Sequence, residues 1–473
     1  MDLISVSYAL LLIVSIFIYY IISFEYRILL LTLLSCCLIA GISWLLLVYI
    51  VCYTVINFFI GKYIPFTKNK KALFRTGLIF NLSQLVILKY SSFALDPIFQ
   101  IFGSNYQISG ISDIIIPLGV SFFTLQGIGY LINIKMGWEK PEKNFLHFLL
   151  YILYYPKFLS GPIERSNHFL PQLIEVKSFN EKQVVAGLRL ALLGFFKKVV
   201  IANQLGIIVN DTYYNIDTYS GLNLWMVILI QPLYLYFDFS GYTDIALGFS
   251  KALGINLLPN FNKPFLSENV TTFWRRMHMS LSSWFNDYVF KQVSFKYRRW
   301  GKYASAFAVF VTFTLFGIWH GAGWNFMILG FLQALAINYE FFTKKKRVVI
   351  FSRIPDYCRI WFGRLATYLF FGISLIFFFS PDFRTSTIFY SKLFVWGDAL
   401  NLAISTKLLL STILCLTVVL ILEFFENDYD LIYNKIVDFW CHHKSLRVIV
   451  YYLTIFSVLY LIGHEQVFIY SRF

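Results

Sequence analysis

Long apolar stretches separated by short polar and basic ones run the whole length of this chain. They lie near residues 5–23, 28–39, 42–60, 73–90, 114–134, 146–160, 186–206, 222–238, 304–318, 322–342, 361–379, 407–425 and 447–463. A helix rising about 1.5 Å per residue needs roughly 20 apolar residues to cross a bilayer. Several segments are too short or too polar for simple spans, and about a dozen membrane helices are predicted. No repeat, low-complexity linker or soluble domain interrupts the pattern, so one all-α membrane domain over residues 1–473 is expected. The first segment has neither a basic n-region nor a small-residue cleavage site, and is expected to be a retained span.

The middle third, about residues 134–302, departs from that pattern. Modest apolar runs alternate there with dense polar, aromatic and Pro/Gly-containing stretches, such as Tyr155-Pro156-Lys157-Phe158-Leu159-Ser160-Gly161-Pro162 and Phe237-Asp238-Phe239-Ser240-Gly241-Tyr242-Thr243-Asp244. Irregular backbone and carboxylates at membrane depth are tolerated only inside protein or against water. This region is predicted to form a cavity floor or re-entrant elements.

Composition agrees with a polytopic membrane protein: 58% hydrophobic and 20% aromatic residues, only 14% charged, and a mean hydropathy of +0.66. A soluble domain carries roughly 25% charged residues. The net charge of +15 does not indicate nucleic acid, because the lysines and arginines sit in short loops between apolar segments. That is the distribution of the positive-inside rule, with attraction to anionic lipid as a secondary effect. The six cysteines are scattered without metal-ligand spacing and read as small buried thiols.

Against this background one stretch stands out, Phe316-Gly317-Ile318-Trp319-His320-Gly321-Ala322-Gly323-Trp324-Asn325, inside an apolar run from about Ala304 to Phe342. Ionisable residues within membrane segments are rare and mark functional sites by default. The glycines allow close helix approach or a helix break, and the tryptophans can wall a pocket while offering N–H donors. The competing reading is a histidine hydrogen-bonded between helices for structure alone.

A second stretch is Thr272-Phe273-Trp274-Arg275-Arg276-Met277-His278-Met279-Ser280-Leu281-Ser282-Ser283-Trp284-Phe285-Asn286-Asp287-Tyr288. Helical spacing predicts Trp274, His278 and Leu281 on one face. Arg275 and Arg276 flank that face, positioned to pair with carboxylates or a phosphate, and Asp287 is a partner for Lys291 four residues on. The competing reading is an interfacial helix with snorkelling arginines.

Two histidines in one membrane domain suggest acid–base work, since imidazole titrates near pH 6.5. No nucleophile elbow, dinucleotide fingerprint or phosphate-binding loop is present. Residues alone therefore lead to a polar, histidine-containing cavity and leave an acyltransferase and a proton-coupled transporter both open.

Trp319-His320-Gly321-Ala322 resembles the signature of the membrane-bound O-acyltransferase (MBOAT) family. The surrounding sequence is similar to its bacterial branch, typified by the membrane subunit of alginate O-acetylation. Further blocks carry the resemblance along nearly the whole chain: Pro117–Thr124; Ser160-Gly161-Pro162-Ile163 with Pro171-Gln172-Leu173; Gly187-Leu188-Arg189 with Lys197-Lys198; Tyr236–Asp244; Asn260-Phe261-Asn262-Lys263-Pro264-Phe265 running into Phe273–Tyr288; and the ending Phe468-Ile469-Tyr470. Met277 departs from the pattern, which has a Trp before the second histidine.

The resemblance implies membrane helices ringed around a thinned central region, with a tunnel or funnel reaching the motif histidine. It implies acyl transfer from a thioester to a hydroxyl, with His320 matching the catalytic histidine and His278 the second functional one. Trp319, Trp274, Asn325, Arg275 and Asp238 are the expected substrate contacts. No tightly bound cofactor or metal is implied; the donor, acetyl-CoA or an acyl carrier protein thioester, is a substrate. The expected setting is a multi-pass protein of a bacterial inner membrane, in contact with lipid, modifying a cell-envelope polysaccharide through an extracytoplasmic esterase-like (SGNH-type) partner. The alternatives are a D-alanyl transferase for teichoic acid, a lipid acyltransferase, and a non-catalytic acyl or polymer transporter subunit.

Overall fold

In hydrocarbon there is no water to satisfy backbone N–H and C=O groups, so each spanning segment must bond internally. In a computed structural model, which describes residues 6–101, 119–159, 161–397, 399–400 and 402–462, the elements are all helical. Pro117, Leu118, Ser160 and the Phe468-Ile469-Tyr470 ending lie outside the described residues. Among the described residues nine helices are long and apolar enough to cross a membrane: Phe24–Ile42, Trp44–Tyr63, Lys70–Tyr90, Gly221–Ala252, Lys302–His320, Trp324–Phe351, Asp356–Phe379, Thr406–Asp428 and Lys444–Leu461. The chain is a multi-pass membrane protein. On the Thr406–Asp428 helix, Leu410, Leu414 and Val418 form an exposed apolar stripe at i, i+4 spacing, which is suited to lipid as solvent.

The dozen expected segments exceed the span-length helices for local reasons. The first gives a 16-residue helix, Val6–Ile21. The segment near 114–134 gives the 17-residue helix Val120–Met136. Phe145–Leu153 stops after nine residues, just before Pro156 and Gly161. Between Glu181 and Tyr214 a seven-residue π-helical turn, Phe196–Ala202, carries Lys197 and Lys198.

Between Met136 and Lys302 only Gly221–Ala252 has spanning length among the described residues. The rest of that stretch is short helices, including Ser166–Leu173, Val270–Arg276 and Met279–Phe285, with a second π-helical turn at Asn286–Phe290.

The chain falls into two compact units. One comprises Met1–Ala191 with Thr243–Pro259. Its helices are tied by buried polar pairs: Tyr53 donates to Asn81 Oδ1 at 2.6 Å, Asn81 Nδ2 to Asn57 Oδ1 at 2.8 Å, and Gln84 Nε2 to Thr124 Oγ1 at 3.0 Å. Such bonds hold membrane helices together where apolar contact with lipid is as favourable as contact with protein. Lys157, fully buried, donates to Gln126 Oε1 and to the Tyr151 carbonyl, and burial pushes its pKa down to about 7.

The other unit comprises Leu192–Tyr242 with Asn260–Phe473. Its core gathers side chains from Ile201–Tyr219, Leu224–Phe237, Phe273, Phe326, Leu329, Phe371–Phe378 and Phe389. All seven site residues predicted from sequence belong to this unit.

Candidate active site

His320 ends the Lys302–His320 helix, and the chain turns through Gly321–Gly323 into the Trp324–Phe351 helix. Two glycines let these helices meet backbone to backbone. A Cβ on Gly317 would lie 2.2 Å from the Phe326 carbonyl oxygen, and one on Gly330 would lie 2.2 Å from that of Phe313. Gly321 faces the Phe326 ring at 2.1 Å from its hypothetical Cβ. Small residues at these positions set the crossing of the two helices, and so where its tip carries His320.

The His320 ring is buried and packs edge-on against aromatic faces: Phe316 at 4.8 Å, Trp319 at 5.0 Å and Phe378 at 5.6 Å between centroids. Phe378 comes from the short helix Ile376–Phe379. Asn325 positions it: its buried amide donates to the Ser380 carbonyl at 2.8 Å. That bond ties the first turn of the Trp324–Phe351 helix to the chain just past Phe378.

His278 reaches the same neighbourhood from a different element. The helix predicted over 272–288 is broken: Val270–Arg276 ends, Met277 is extended, and His278 adopts a left-handed conformation (φ 48°, ψ 51°) before Met279–Phe285 begins. His is among the residues that tolerate this region best after glycine. Asn260 organises the break. Its carbonyl oxygen accepts from Met279 N at 2.8 Å, and its Oδ1 accepts from Ser280 N at 3.2 Å and Ser280 Oγ at 2.8 Å. Because a backbone N–H only donates, the Ser280 bond identifies Oδ1 as the oxygen.

His278 Nδ1 lies 3.2 Å from that same Oδ1, so Nδ1 carries the proton and Nε2 is the basic nitrogen. Burial pushes the His278 pKa down to about 3, which keeps the imidazole neutral.

The two histidines, 42 residues apart in sequence, both contact the Trp319 ring. Its indole lies 5.0 Å from the His320 ring and 6.1 Å from the His278 ring. Phe239 also packs against His278, at 4.6 Å between centroids and edge-on. Next to it on the Gly221–Ala252 helix, Asp238 pairs with Lys198 of the π-helical turn, both fully buried. A Cβ on Gly241 would lie 2.9 Å from both Gly194 O and Lys198 N, so glycine there permits the approach that lets Asp238 reach the lysine.

Trp274 does not share a helical face with His278, contrary to the periodicity, because the helix breaks at Met277 and His278 between them. Its indole N–H instead donates to Gln333 Oε1 at 3.1 Å, and its ring meets Phe316, the ring that also contacts His320, at 4.8 Å. Trp274 and Arg275 line a cavity of about 470 Å³ with Ser282, Thr312, Phe313 and Phe316. Asp287 and Lys291 form the expected i, i+4 pair at 2.8 Å.

The sequence reading missed Asn260 and Lys198 as positioning residues. Both sat in plain view in the Asn260–Phe265 and Lys197-Lys198 blocks, but their partners lie 18 and 40 residues away.

The sequence model of the membrane-bound O-acyltransferase family matches residues 141–381, a stretch that contains every residue of the site. A probable alginate O-acetylase of Azotobacter vinelandii is 31% identical over 282 residues, covering 59% of this chain and 56% of that protein. A peptidoglycan O-acetyltransferase of Helicobacter pylori is 31% identical over 329 residues, 62% of this chain and 60% of the relative. A teichoic acid D-alanyltransferase of Bacillus subtilis is 34% identical over 248 residues, 48% of this chain and 60% of the relative. The chain thus spans less than two thirds of the length of each of these relatives.

Proposed function

This chain belongs to the membrane-bound O-acyltransferase family, and from that premise we propose that it transfers an acetyl group from a cytoplasmic thioester to hydroxyls of a cell-envelope polysaccharide. The observation that carries the proposal is the gathering of two buried imidazoles, His320 and His278, against the one ring of Trp319, at 5.0 and 6.1 Å between centroids.

In this reading the acceptor oxygen, or that of a relay hydroxyl, attacks the thioester carbonyl carbon while its proton passes to His320. The carbon–sulfur bond breaks, and the thiolate leaves and takes up that proton. Holding donor and acceptor together in one water-poor site supplies much of the rate through positioning. His278, kept neutral by burial with its Nδ1–H directed at Asn260, presents Nε2 to orient the acceptor or to pass its proton. Trp319 walls the space between the imidazoles, and Asn325 acts through Phe378. Arg275, on the neighbouring cavity, has the charge to hold an anionic part of the donor. Asp238 acts through Lys198 and Phe239 as a positioning residue. Acetyl-CoA or an acyl carrier protein thioester is the substrate in this scheme, and the acyl group goes on to an extracytoplasmic esterase-like (SGNH-type) partner of a bacterial inner-membrane system.

The names of the Azotobacter and Helicobacter relatives support an acetyl donor and a polysaccharide acceptor. The similarity to the Bacillus D-alanyltransferase supports a second reading, in which D-alanine passes to teichoic acid. One experiment separates them. His320→Ala is introduced in the native host, its abundance in the membrane is measured, and acids released from ester linkage on purified envelope polymers are identified. Loss of esters at normal abundance supports the transferase, and acetate or D-alanine names the donor. Esters at wild-type level would leave His320 structural and favour a transporter or scaffold.

A further inference from the structure

A second cavity, of about 540 Å³, lies away from the histidines, between the basic end of the Trp324–Phe351 helix, the start of the Asp356–Ser374 helix and the N-terminus of Val270–Arg276. Its lining divides by chemistry. Val348, Phe362 and Phe370 give an apolar wall, while Lys344, Arg347 and Arg359 bring three cations to the same space.

The carboxylates that face it are accounted for in part. Glu340 spends its oxygens on Val270 N, Thr271 N and Thr271 Oγ1, at 2.6–3.0 Å, and Glu268 is the other acid on the lining. Arg347 is held in place by bonds to Thr343 Oγ1 and the Glu340 carbonyl, and Arg359 pairs on the outside with Asp356. Lys344 has no ion pair among the described residues. On the lining itself three cations face two acids; Lys345, Lys346 and Arg353 continue the basic run outside it.

A basic run that closes an apolar membrane helix sits at the headgroup layer, where it attracts anionic lipid. We propose that this cavity is a binding site for one anionic phospholipid of the surrounding bilayer, its phosphate between Lys344 and Arg359 and an acyl chain along Val348, Phe362 and Phe370. The amphipathic lining is what selects this occupant: a free anion has no use for the apolar wall, and a zwitterionic lipid would bring its own ammonium against Lys344, Arg347 and Arg359. The lipid site shares a wall with Glu340, whose carboxylate caps the short helix that leads to His278.

The test is native mass spectrometry and fluorescence titration of the detergent-purified full chain with phosphatidylglycerol. Phosphatidylcholine, inorganic phosphate and coenzyme A serve as alternative probes. Lys344→Gln/Arg359→Gln removes the two lining cations that would hold the phosphate by charge-assisted hydrogen bonds, and is expected to weaken phosphatidylglycerol binding by about tenfold or more. Lys345→Gln/Lys346→Gln removes two cations of the same run that do not line the cavity, and is expected to change it little. Size-exclusion profiles confirm that both variants stay folded. Equal losses from the two variants would reduce the site to diffuse surface charge and overturn the proposal. Equal affinity for phosphatidylcholine, or displacement of the lipid by phosphate or coenzyme A at comparable concentrations, would overturn it too. No step uses acyl transfer, so the outcome is independent of the proposed reaction.

Discussion

Gly317→Ala is a small perturbation with a large expected effect on the site. The added methyl carbon would lie 2.2 Å from the Phe326 carbonyl oxygen and 3.2 Å from the Gly330 backbone. Ordinary contacts begin near 3.5 Å, so the two helices must part by about 1 Å. The blocking atom is a backbone oxygen, and no rotamer change relieves it. Overpacking of this kind costs about 1–3 kcal/mol.

The catalytic consequence is larger, because His320 follows three residues later at the tip of the same helix. A displacement of about 1 Å at reacting groups costs on the order of a hundredfold in rate. The thermal midpoint of the detergent-purified protein and its acyl-transfer rate are measured side by side, with Gly330→Ala as a second route to the same strain. Gly41→Ala, in the last turn of Phe24–Ile42, is the control: nothing lies within 4 Å of its Cβ, so the added methyl is expected to leave rate and midpoint essentially unchanged. Gly317→Ala at the rate and midpoint of Gly41→Ala would refute the claim that the glycine contact sets the histidine.

Three further outcomes follow from the same geometry. Asp238→Asn or Lys198→Met alone leaves one buried charge without its counter-ion, at a cost of about 3–5 kcal/mol. The double variant should recover most of the thermal midpoint, and a double variant as unstable as the singles would show that the pair is not the source. Asn260→Ala removes the acceptor shared by His278 Nδ1 and Ser280. It should cost about 1–3 kcal/mol and release the imidazole tautomer, lowering transfer at least tenfold (roughly 1.4 kcal/mol) while the protein still reaches the membrane; full activity in this variant would remove Asn260 from the site. The native His278 pKa is near 3 whereas an unfolded imidazole titrates near 6.5, so the folded state binds fewer protons between those values. Stability from this group is complete above about pH 6.5 and drains as pH falls toward 3. The thermal midpoint of the wild type should therefore drop more steeply on acidification than that of His278→Gln, and parallel curves would contradict it.

His320 was conspicuous in the sequence because an imidazole surrounded by apolar residues and glycines has few neutral explanations. The same logic drew out His278, but not its geometry. Hydrophobic periodicity records which residues would share a face if the helix continued, and it carries no signal for a left-handed residue that breaks the helix. Trp274 and His278 therefore parted in three dimensions although their spacing matched, and Trp319 took the place beside His278 that Trp274 was expected to fill.

Sequence alone was enough for an all-helical, multi-pass membrane protein, and it singled out His320 and His278 as the candidates for its chemistry. These follow from local terms: the cost of unbonded backbone in hydrocarbon, the length of an apolar run, the desolvation of an imidazole. Only the tertiary structure decided how many segments have spanning length, where the helix at His278 breaks, and which partners hold the site. Asn260 with His278, Asp238 with Lys198, and Asn325 with Ser380 are pairs between separate elements. Their bonds exist only once the helices have packed, so no run of neighbouring residues encodes them.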